Sequence, residues 1–154
     1  MSTKTKAVTW FSLLLLLILL SAGQVIATAE TVSVPAGKTV FRDVNLNVED
    51  EVSGRISVIG GESGGINFTV VGPNDQIVLP TKMVIVSDFK FSASEKGTYR
   101  FIFDNSLSPI DKTVSFNYDA KHYWFGMPQE VFLMIIVVLV GALALAIYAM
   151  ASKG

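Results

Sequence analysis

One pentapeptide of this 154-residue chain has the spacing of a hydrolase nucleophile. Residues 61–65 read Gly-Glu-Ser-Gly-Gly, which matches the G-x-S-x-G pattern that places a serine on a strand-to-helix turn. Residues 66–71 instead alternate apolar and polar side chains, which predicts a strand after the serine. The single histidine, His122, lies close to a C-terminal apolar segment. We therefore interpret Gly61, Glu62 and Ser63 as part of a glycine-rich hairpin turn, and we expect no catalytic residue and no enzyme.

Oxygen ligands for calcium are the second chemistry that the sequence offers. Glu49, Asp50 and Glu51 are consecutive, and Asp104 and Asp111 come later in the chain. They do not follow a D-x-D-x-D spacing, which favours solvated surface charges over a calcium site. The chain has no cysteine, which excludes a thiolate metal site and a disulfide framework. We therefore expect no metal and no other cofactor.

Two further polar residues are candidates for modification or titration. Asn67-Phe68-Thr69 is a glycosylation sequon, and strand alternation points Asn67 outward, where a host with the machinery could glycosylate it. An unmodified strand residue is the alternative. We interpret His122 as a polar residue at the level of lipid headgroups, and a pH sensor is the alternative.

The first of two apolar segments predicts export. Lys4 and Lys6 precede an apolar run over residues 10–20, which is typical of a secretory signal peptide. Ala27-Thr28-Ala29 fits the small-x-small cleavage rule, so we expect residues 1–29 to be the signal peptide. Cleavage after Gly23 and an uncleaved N-terminal anchor are the alternatives.

The second apolar segment predicts a membrane anchor. Residues 131–150 contain no charge, and a helix of that length spans about 30 Å of hydrocarbon. Tyr123, Trp124 and Phe125 precede it as an interfacial aromatic belt. Residues 151–154 would form a cytoplasmic tail. We expect a single-pass membrane protein whose domain lies outside the cytoplasm, in the cell membrane or, in a eukaryote, in a secretory-pathway membrane.

The segment between these two predicts an all-β domain. Residues 30–118 contain repeated period-two alternation separated by turn residues, which favours an antiparallel β-sandwich of seven to eight short strands. Residues 119–130 would be a membrane-proximal linker. The predicted core is aromatic: Phe68, Phe89, Phe91, Tyr99, Phe101, Phe103 and Phe116. The net charge of −1 gives no reason to expect a nucleic-acid partner.

Two segments resemble the GOLD (Golgi dynamics) domain of secretory-pathway cargo receptors. Residues 65–78, GINFTVVGPNDQIV, match the family's strand, Gly-Pro turn and strand, and residues 96–116, KGTYRFIFDNSLSPIDKTVSF, match its Gly-x-Tyr, aromatic row, Asp-Asn and strand-leading Lys. The resemblance implies a GOLD-like β-sandwich with a C-terminal transmembrane helix and a protein-binding role. The family's two cysteines fall on Val40 and Ile102, which are then expected side by side. The family's coiled coil and coat-binding tail are absent.

The resemblance and the lack of a catalytic pattern lead to one functional hypothesis. We expect an adaptor or cargo-receptor-like module that binds another exported or membrane protein. Its C-terminal helix would hold it in the lipid bilayer, and homo-oligomerisation is compatible with this interpretation. A surface carbohydrate-binding or hydrolase accessory domain is the alternative. Loops on a rigid sandwich are the natural binding elements. The candidate loop residues are Gly61, Glu62, Ser63, Asn74, Asp75, Asn105, Ser106 and Ser108.

Overall fold

The structure, a computed structural model, describes residues 27–59 and 64–152. Most of these residues form β-strands, in which apolar and polar side chains alternate. In chain order the long strands are β1 (Ala27–Val34), β2 (Thr39–Leu46), β3 (Glu51–Ile59), β4 (Ile66–Val71), β5 (Ile77–Val84), β6 (Val86–Ser92), β7 (Gly97–Asp104) and β8 (Lys112–Lys121). The predicted apolar run of the signal peptide and the predicted turn residues Gly61, Glu62 and Ser63 lie outside the described residues.

The eight strands form two antiparallel four-stranded sheets. Sheet A has the order β1-β8-β3-β6, and sheet B has the order β2-β7-β4-β5. In both sheets the inward positions carry the buried apolar side chains of one continuous core. The predicted antiparallel β-sandwich of seven to eight strands is confirmed.

Aromatic rings hold the two sheets together. All seven predicted core aromatics are buried, and Phe101, Phe103 and Phe116 are fully inaccessible. Phe116 of sheet A meets Phe101 and Phe103 of sheet B at ring-centroid distances of 5.0 and 5.1 Å. Tilted and edge-to-face pairs at this spacing add favourable electrostatics to the burial. The sandwich is therefore a rigid support for its loops.

The C-terminal segment forms a separate unit. Two short strands, β9 (Tyr123–Trp124) and β10 (Met127–Pro128), make a hairpin whose turn residues Phe125 and Gly126 both have positive φ. The helix α1 (Gln129–Ser152) follows, and Phe132 on it packs against the rings of Trp124 and Phe125. Among the described residues, α1 is the one helix with the length and composition to cross a membrane.

The sheet extends into the segment predicted as a linker. Strand β8 continues to Lys121, and its residues Asp119 and Lys121 pair with Ser53 and Glu51 of β3. Residues 119–121 therefore belong to sheet A, and the β9–β10 hairpin occupies residues 123–128. The helix also begins two residues before the predicted span and continues past it to Ser152.

The prediction that Val40 and Ile102 lie side by side is wrong. Strands β2 and β7 pair with Val40 opposite Phe103 and with Phe41 opposite Ile102. Because neighbouring residues of a strand point to opposite faces, the side chain of Val40 lies on the face of the buried Phe103 and that of Ile102 on the other face. A register difference of one residue separates the two positions that the family resemblance brought together.

Candidate binding site

The predicted loop with Asn105, Ser106 and Ser108 lies at the same end of the sandwich as Gly64 and Gly65, the described end of the predicted glycine-rich turn. The 105–111 loop follows β7, and Gly64 and Gly65 lead into β4, whose Asn67 pairs with Asp104 of β7. The turn between β1 and β2 joins them, because the Gly37 amide donates to the Asn105 carbonyl at 3.2 Å. We call this end, where β7 ends and β4 begins, the cleft end.

The third predicted loop lies at the opposite end. Asn74 and Asp75 form a 3-10 turn between β4 and β5. Asn74 donates a 3.4 Å side-chain hydrogen bond to Glu95, in the loop that precedes β7. The sequence therefore grouped residues that the fold separates: Asn105, Ser106 and Ser108 share the cleft end, and Asn74 and Asp75 do not.

A cleft of about 230 Å³ opens at the cleft end. We call it the end cleft. Its walls combine charged, amide and apolar groups from four strands and two loops. The residues that line it are Gly64, Gly65, Asn67, Met83, Asp104, Asn105, Leu107, Ser108, Pro109 and Lys112. Asn67, the predicted glycosylation residue, is among them, so a glycan on Asn67 would stand at the cleft.

Asp104 supplies the negative charge of the end cleft. Its carboxylate accepts hydrogen bonds from the Ser106 amide at 2.9 Å and from the Thr39 hydroxyl at 3.0 Å. The bond from the Ser106 backbone, followed by one from the Ser106 side chain, holds the pKa of Asp104 below its ordinary value, and the Thr39 and Asn67 side chains add to the effect. Among the described residues no cation pairs with Asp104.

Asn105 is one of the residues that line the end cleft, and it connects the loops around it. Only 3% of the residue is exposed. Its Nδ2 faces three carbonyl oxygens, those of Val34 and Pro35 at 3.2 Å and of Ile110 at 2.9 Å. Its Oδ1 is buried and has no hydrogen-bond partner in the described part of the chain.

Lys112 carries a buried positive charge beside these groups. It is 3% exposed, and its ammonium donates to the carbonyl oxygens of Gly64 at 2.8 Å and Gly65. No carboxylate of the described residues lies within ion-pair distance of it. The lysine that leads the last strand in the GOLD pattern thus ties β8 of sheet A to the start of β4 in sheet B.

The Gly-x-Tyr part of the same pattern also has a structural role. The Tyr99 hydroxyl donates to the Glu95 carbonyl at 3.0 Å and so satisfies its buried polar atom. A side chain on Gly97 would lie 2.6 Å from the ring of Pro73, which follows Gly72 in the Gly-Pro turn. These motif residues therefore hold loops in place at the opposite end of the sandwich.

Exposed apolar side chains surround the end cleft. Leu107 is 89% exposed, and Met83 is 66% exposed on the neighbouring strand. Ile59, Ile85 and Val86 are also exposed, and they lie where β3, β5 and β6 reach the same end. A group of exposed apolar residues beside polar ones is typical of a protein-interaction surface.

The sequence did not reveal a buried carboxylate partner for His122. Asp50 is 1% exposed, and its Oδ2 accepts from the Asn47 amide and faces Nδ1 of His122, each at 2.8 Å. Seventy-two positions separate the aspartate from the histidine. Asp50 is therefore the hydrogen-bond partner of His122. The described residues contain no group of three His, Cys, Asp or Glu side chains that could hold a metal ion.

A second concavity, of about 680 Å³, is lined by residues of β1, β3, β6 and β8. Its carboxylates include Asp88, which pairs with Arg55 through two bonds of 2.6 and 2.9 Å. The hydrogen bond from Arg55 holds the pKa of Asp88 below its ordinary value. The hydrolase alternative expects a carboxyl group with a raised pKa, whereas the pKa values of Asp88 and Asp104 are lowered.

Comparison with known proteins points to one family. The sequence profile described as emp24/gp25L/p24 family/GOLD matches residues 29–127. The Transmembrane emp24 domain-containing protein p24beta3 of Arabidopsis thaliana is 31% identical over 118 residues, which are 73% of this chain and 53% of that protein. This chain thus spans about half the length of that relative.

Among solved structures, the chain shows a weak similarity to periplasmic inhibitors of g-type lysozyme. The PliG inhibitor of Aeromonas hydrophila is 12% identical, with a TM-score of 0.47 over 63% of this chain and 88% of the inhibitor. The Salmonella Typhimurium inhibitor is 11% identical, with a TM-score of 0.46 over 64% and 91%. These likenesses are too weak to bear on function.

Proposed function

Since the chain belongs to the emp24/gp25L/p24 (GOLD) family, we propose that it is a binding module that presents the end cleft to another exported or membrane protein. A GOLD domain followed by an apolar helix of spanning length fits a single-pass membrane protein. We further propose that the sandwich lies outside the cytoplasm, as the N-terminal signal predicts. Its role would be that of an adaptor or cargo-receptor-like protein.

The observation that supports this proposal is the composition of the cleft end. Asn105 and Ser108 of the candidate loop after β7 line the cleft there, together with Gly64 and Gly65 at the end of the glycine-rich turn. Exposed Leu107 and Met83 stand beside the cleft. Exposed apolar side chains that are bordered by polar groups are typical of protein-interaction surfaces.

The connectivity of the chain also favours this end. Strand β8 begins at the cleft end and finishes at the opposite end, beside Glu51 at the start of β3. The chain continues from that opposite end toward α1. The loops of the cleft end are therefore free of the polypeptide connection to the membrane helix.

Co-purification with matched variants tests the proposal. Leu107→Asp places a charge in the exposed apolar surface of the cleft end, and Ile77→Asp makes the same change at an exposed residue of the opposite end. Full-length protein is isolated in mild detergent from cells that express each form. A partner that is retained by the Ile77 variant and lost from the Leu107 variant is the expected result. Equal retention, or loss from both variants, would refute binding at the end cleft.

A further inference from the structure

We propose that the β9–β10 hairpin is a second membrane contact, which inserts its aromatic turn into the headgroup region of the bilayer beside α1. The inference rests on α1 as the membrane-spanning helix and is independent of partner binding at the end cleft. It follows from the conformation and exposure of the turn, from its contacts with the helix and from the charges around it.

The turn of the hairpin exposes a large apolar side chain in a conformation that such residues avoid. Phe125 has a φ of 54° and Gly126 has a φ of 74°, as at the two central positions of a type I′ turn. Asparagine, aspartate and glycine are favoured at the first of these positions, and a bulky residue there is an outlier. Phe125 is nevertheless 87% exposed. Because water does not compensate for the strain and exposure of this ring, the conformation points to a binding role.

The contacts with α1 indicate the depth at which the turn meets the bilayer. The ring of Phe132 lies 5.8 Å from that of Trp124 and 5.5 Å from that of Phe125, measured between centroids. Phe132 comes two residues after Glu130, the acidic residue in the first turn of the helix. The cost of burying a charge in hydrocarbon keeps Glu130 among the headgroups, and Phe132 lies about 3 Å farther along the helix axis. The three rings therefore lie at the border between headgroups and hydrocarbon.

The backbone of the hairpin limits the same depth. Strands β9 and β10 form a two-stranded sheet of their own, with no further strand beside them in the described part of the chain. Their outward N–H and C=O groups need water, which the headgroup region supplies and the hydrocarbon core does not. Aromatic side chains favour this region, and the indole of Trp124 combines an apolar body with an N–H donor. The hairpin therefore suits the interface and not the core of the bilayer.

The charges near the hairpin do not favour an electrostatic contact with lipid. Between residues 121 and 132, Lys121 and Glu130 are the only Lys, Arg, Asp or Glu residues, and their charges cancel. Exposed apolar side chains continue from the turn onto α1, where Val131 and Met134 are also exposed. The apolar surface of the helix thus extends to the hairpin. We therefore expect insertion to depend on apolar burial and not on anionic lipids.

Tryptophan fluorescence in lipid nanodiscs measures the depth of the hairpin. The full chain has two tryptophans, so Trp10→Phe makes Trp124 the single reporter. Phosphatidylcholine that is brominated either near the headgroup or near the end of the acyl chain quenches the indole according to its depth. We expect stronger quenching by the shallow bromines than by the deep ones. Replacing part of the phosphatidylcholine by phosphatidylserine should leave the quenching unchanged, and quenching that requires phosphatidylserine would overturn the apolar contact.

Phe125→Asn separates the aromatic ring from the turn that carries it. Asparagine is favoured at this turn position, so the variant keeps the hairpin and removes the ring. Most of the shallow quenching of Trp124 should be lost, and its emission should move to longer wavelength. Phe41→Asn, the same change at a half-exposed residue of the sandwich, is the matched control and should leave both signals unchanged. Unchanged quenching in Phe125→Asn would overturn insertion of the turn.

A second reporter separates failure of this inference from failure of the helix assignment. Leu139 is exposed near the middle of α1, and Leu139→Trp in a chain that also carries Trp10→Phe and Trp124→Phe should be quenched most by the deep bromines. Deep quenching there without quenching of Trp124 would leave α1 in the bilayer and overturn the hairpin contact. If Phe125→Asn then also lost a co-purified protein, the turn would belong to a protein interface instead. Absence of quenching at both positions would refute the spanning helix and this inference with it, whereas co-purification with the Leu107 variant tests the end cleft separately.

Discussion

Replacing Asn105 by alanine should destabilise the sandwich by an amount that follows from its three carbonyl partners. The Val34 carbonyl belongs to a fully buried residue, whereas Pro35 and Ile110 are exposed and their carbonyls can turn to water. One buried carbonyl is then left unsatisfied, which costs about 1–3 kcal/mol. A lost bond to an exposed carbonyl adds about 0.5–1.5 kcal/mol.

One gain partly offsets these losses. The variant also removes the buried Oδ1, which has no partner among the described residues, and this returns on the order of 1 kcal/mol. The net loss in the free energy of unfolding is therefore about 2 kcal/mol. For a domain of this size, that corresponds to a melting temperature about 8–16 °C lower.

Thermal unfolding followed by circular dichroism measures the effect. Ser106→Ala is the matched control, because Ser106 is the exposed neighbour in the same loop: the change removes one exposed side-chain bond to Asp104 and keeps the backbone N–H bond. The control should melt within a few degrees of the unmodified protein. A melting temperature of Asn105→Ala equal to that of the control would refute the reasoning that this amide holds the loops of the cleft end.

Three further predictions concern the core, the cleft and the N-terminus. Phe103→Ala should lower the free energy of unfolding, measured by denaturant titration, by about 3–5 kcal/mol. Phe41→Ala, at a half-exposed site, should lower it much less. Equal losses of unfolding free energy in the two variants would contradict the assignment of Phe103 to the core. Because the pKa of Asp104 is lowered in the folded protein, its carboxylate stabilises the fold above the unfolded pKa of about 3.9, and this contribution is lost as the pH falls through the folded value. The difference in melting temperature between the unmodified protein and Asp104→Asn should therefore be larger at pH 7 than at pH 3. A difference that does not change with pH would contradict this role of Asp104. N-terminal sequencing of the mature protein should give Gln24, rather than Glu30, as the first residue. Strand β1 already begins at Ala27, so cleavage after residue 29 would remove three of the residue pairs that β1 forms with β8. A mature chain that begins at Glu30 would contradict this prediction and show that the three pairs are dispensable.

The sandwich was predictable because its signal is local. Alternation of apolar and polar residues marks each strand from its own sequence, and the aromatic row Tyr99, Phe101 and Phe103 marks a buried face without knowledge of its neighbours. The lysine and asparagine of the family pattern, Lys112 and Asn105, were also visible, but not their roles. Apart from the Ile110 carbonyl, five positions from Asn105, the carbonyl groups on which those roles depend lie 47 to 71 positions away.

What the sequence could not supply was the pairing of distant segments. The alignment with the family placed Val40 and Ile102 together, and a one-residue difference in register put their side chains on opposite faces. The partnership of Asp50 and His122 depends on β8 running back to the start of β3. Neither relation leaves a local pattern, since each is set by how the strands align in the folded sheets.

The binding loops show the same division. Turn chemistry identified three loops, which is a local property, but their grouping is decided by strand direction. Each strand carries its two flanking loops to opposite ends, so the loop after β4, with Asn74, lies away from the loop after β7, with Asn105. The sequence therefore located candidate residues without showing which of them share a site.

Site-specific photocrosslinking most directly tests the claim that the protein binds its partner through the end cleft. A photoreactive amino acid replaces either Leu107, at the border of the cleft, or Asn74, at the opposite end, in the full chain within native membranes. We predict one adduct of defined mass from the position of Leu107 and none from that of Asn74. Adducts of the same mass from both positions, or from that of Asn74 alone, would contradict the account.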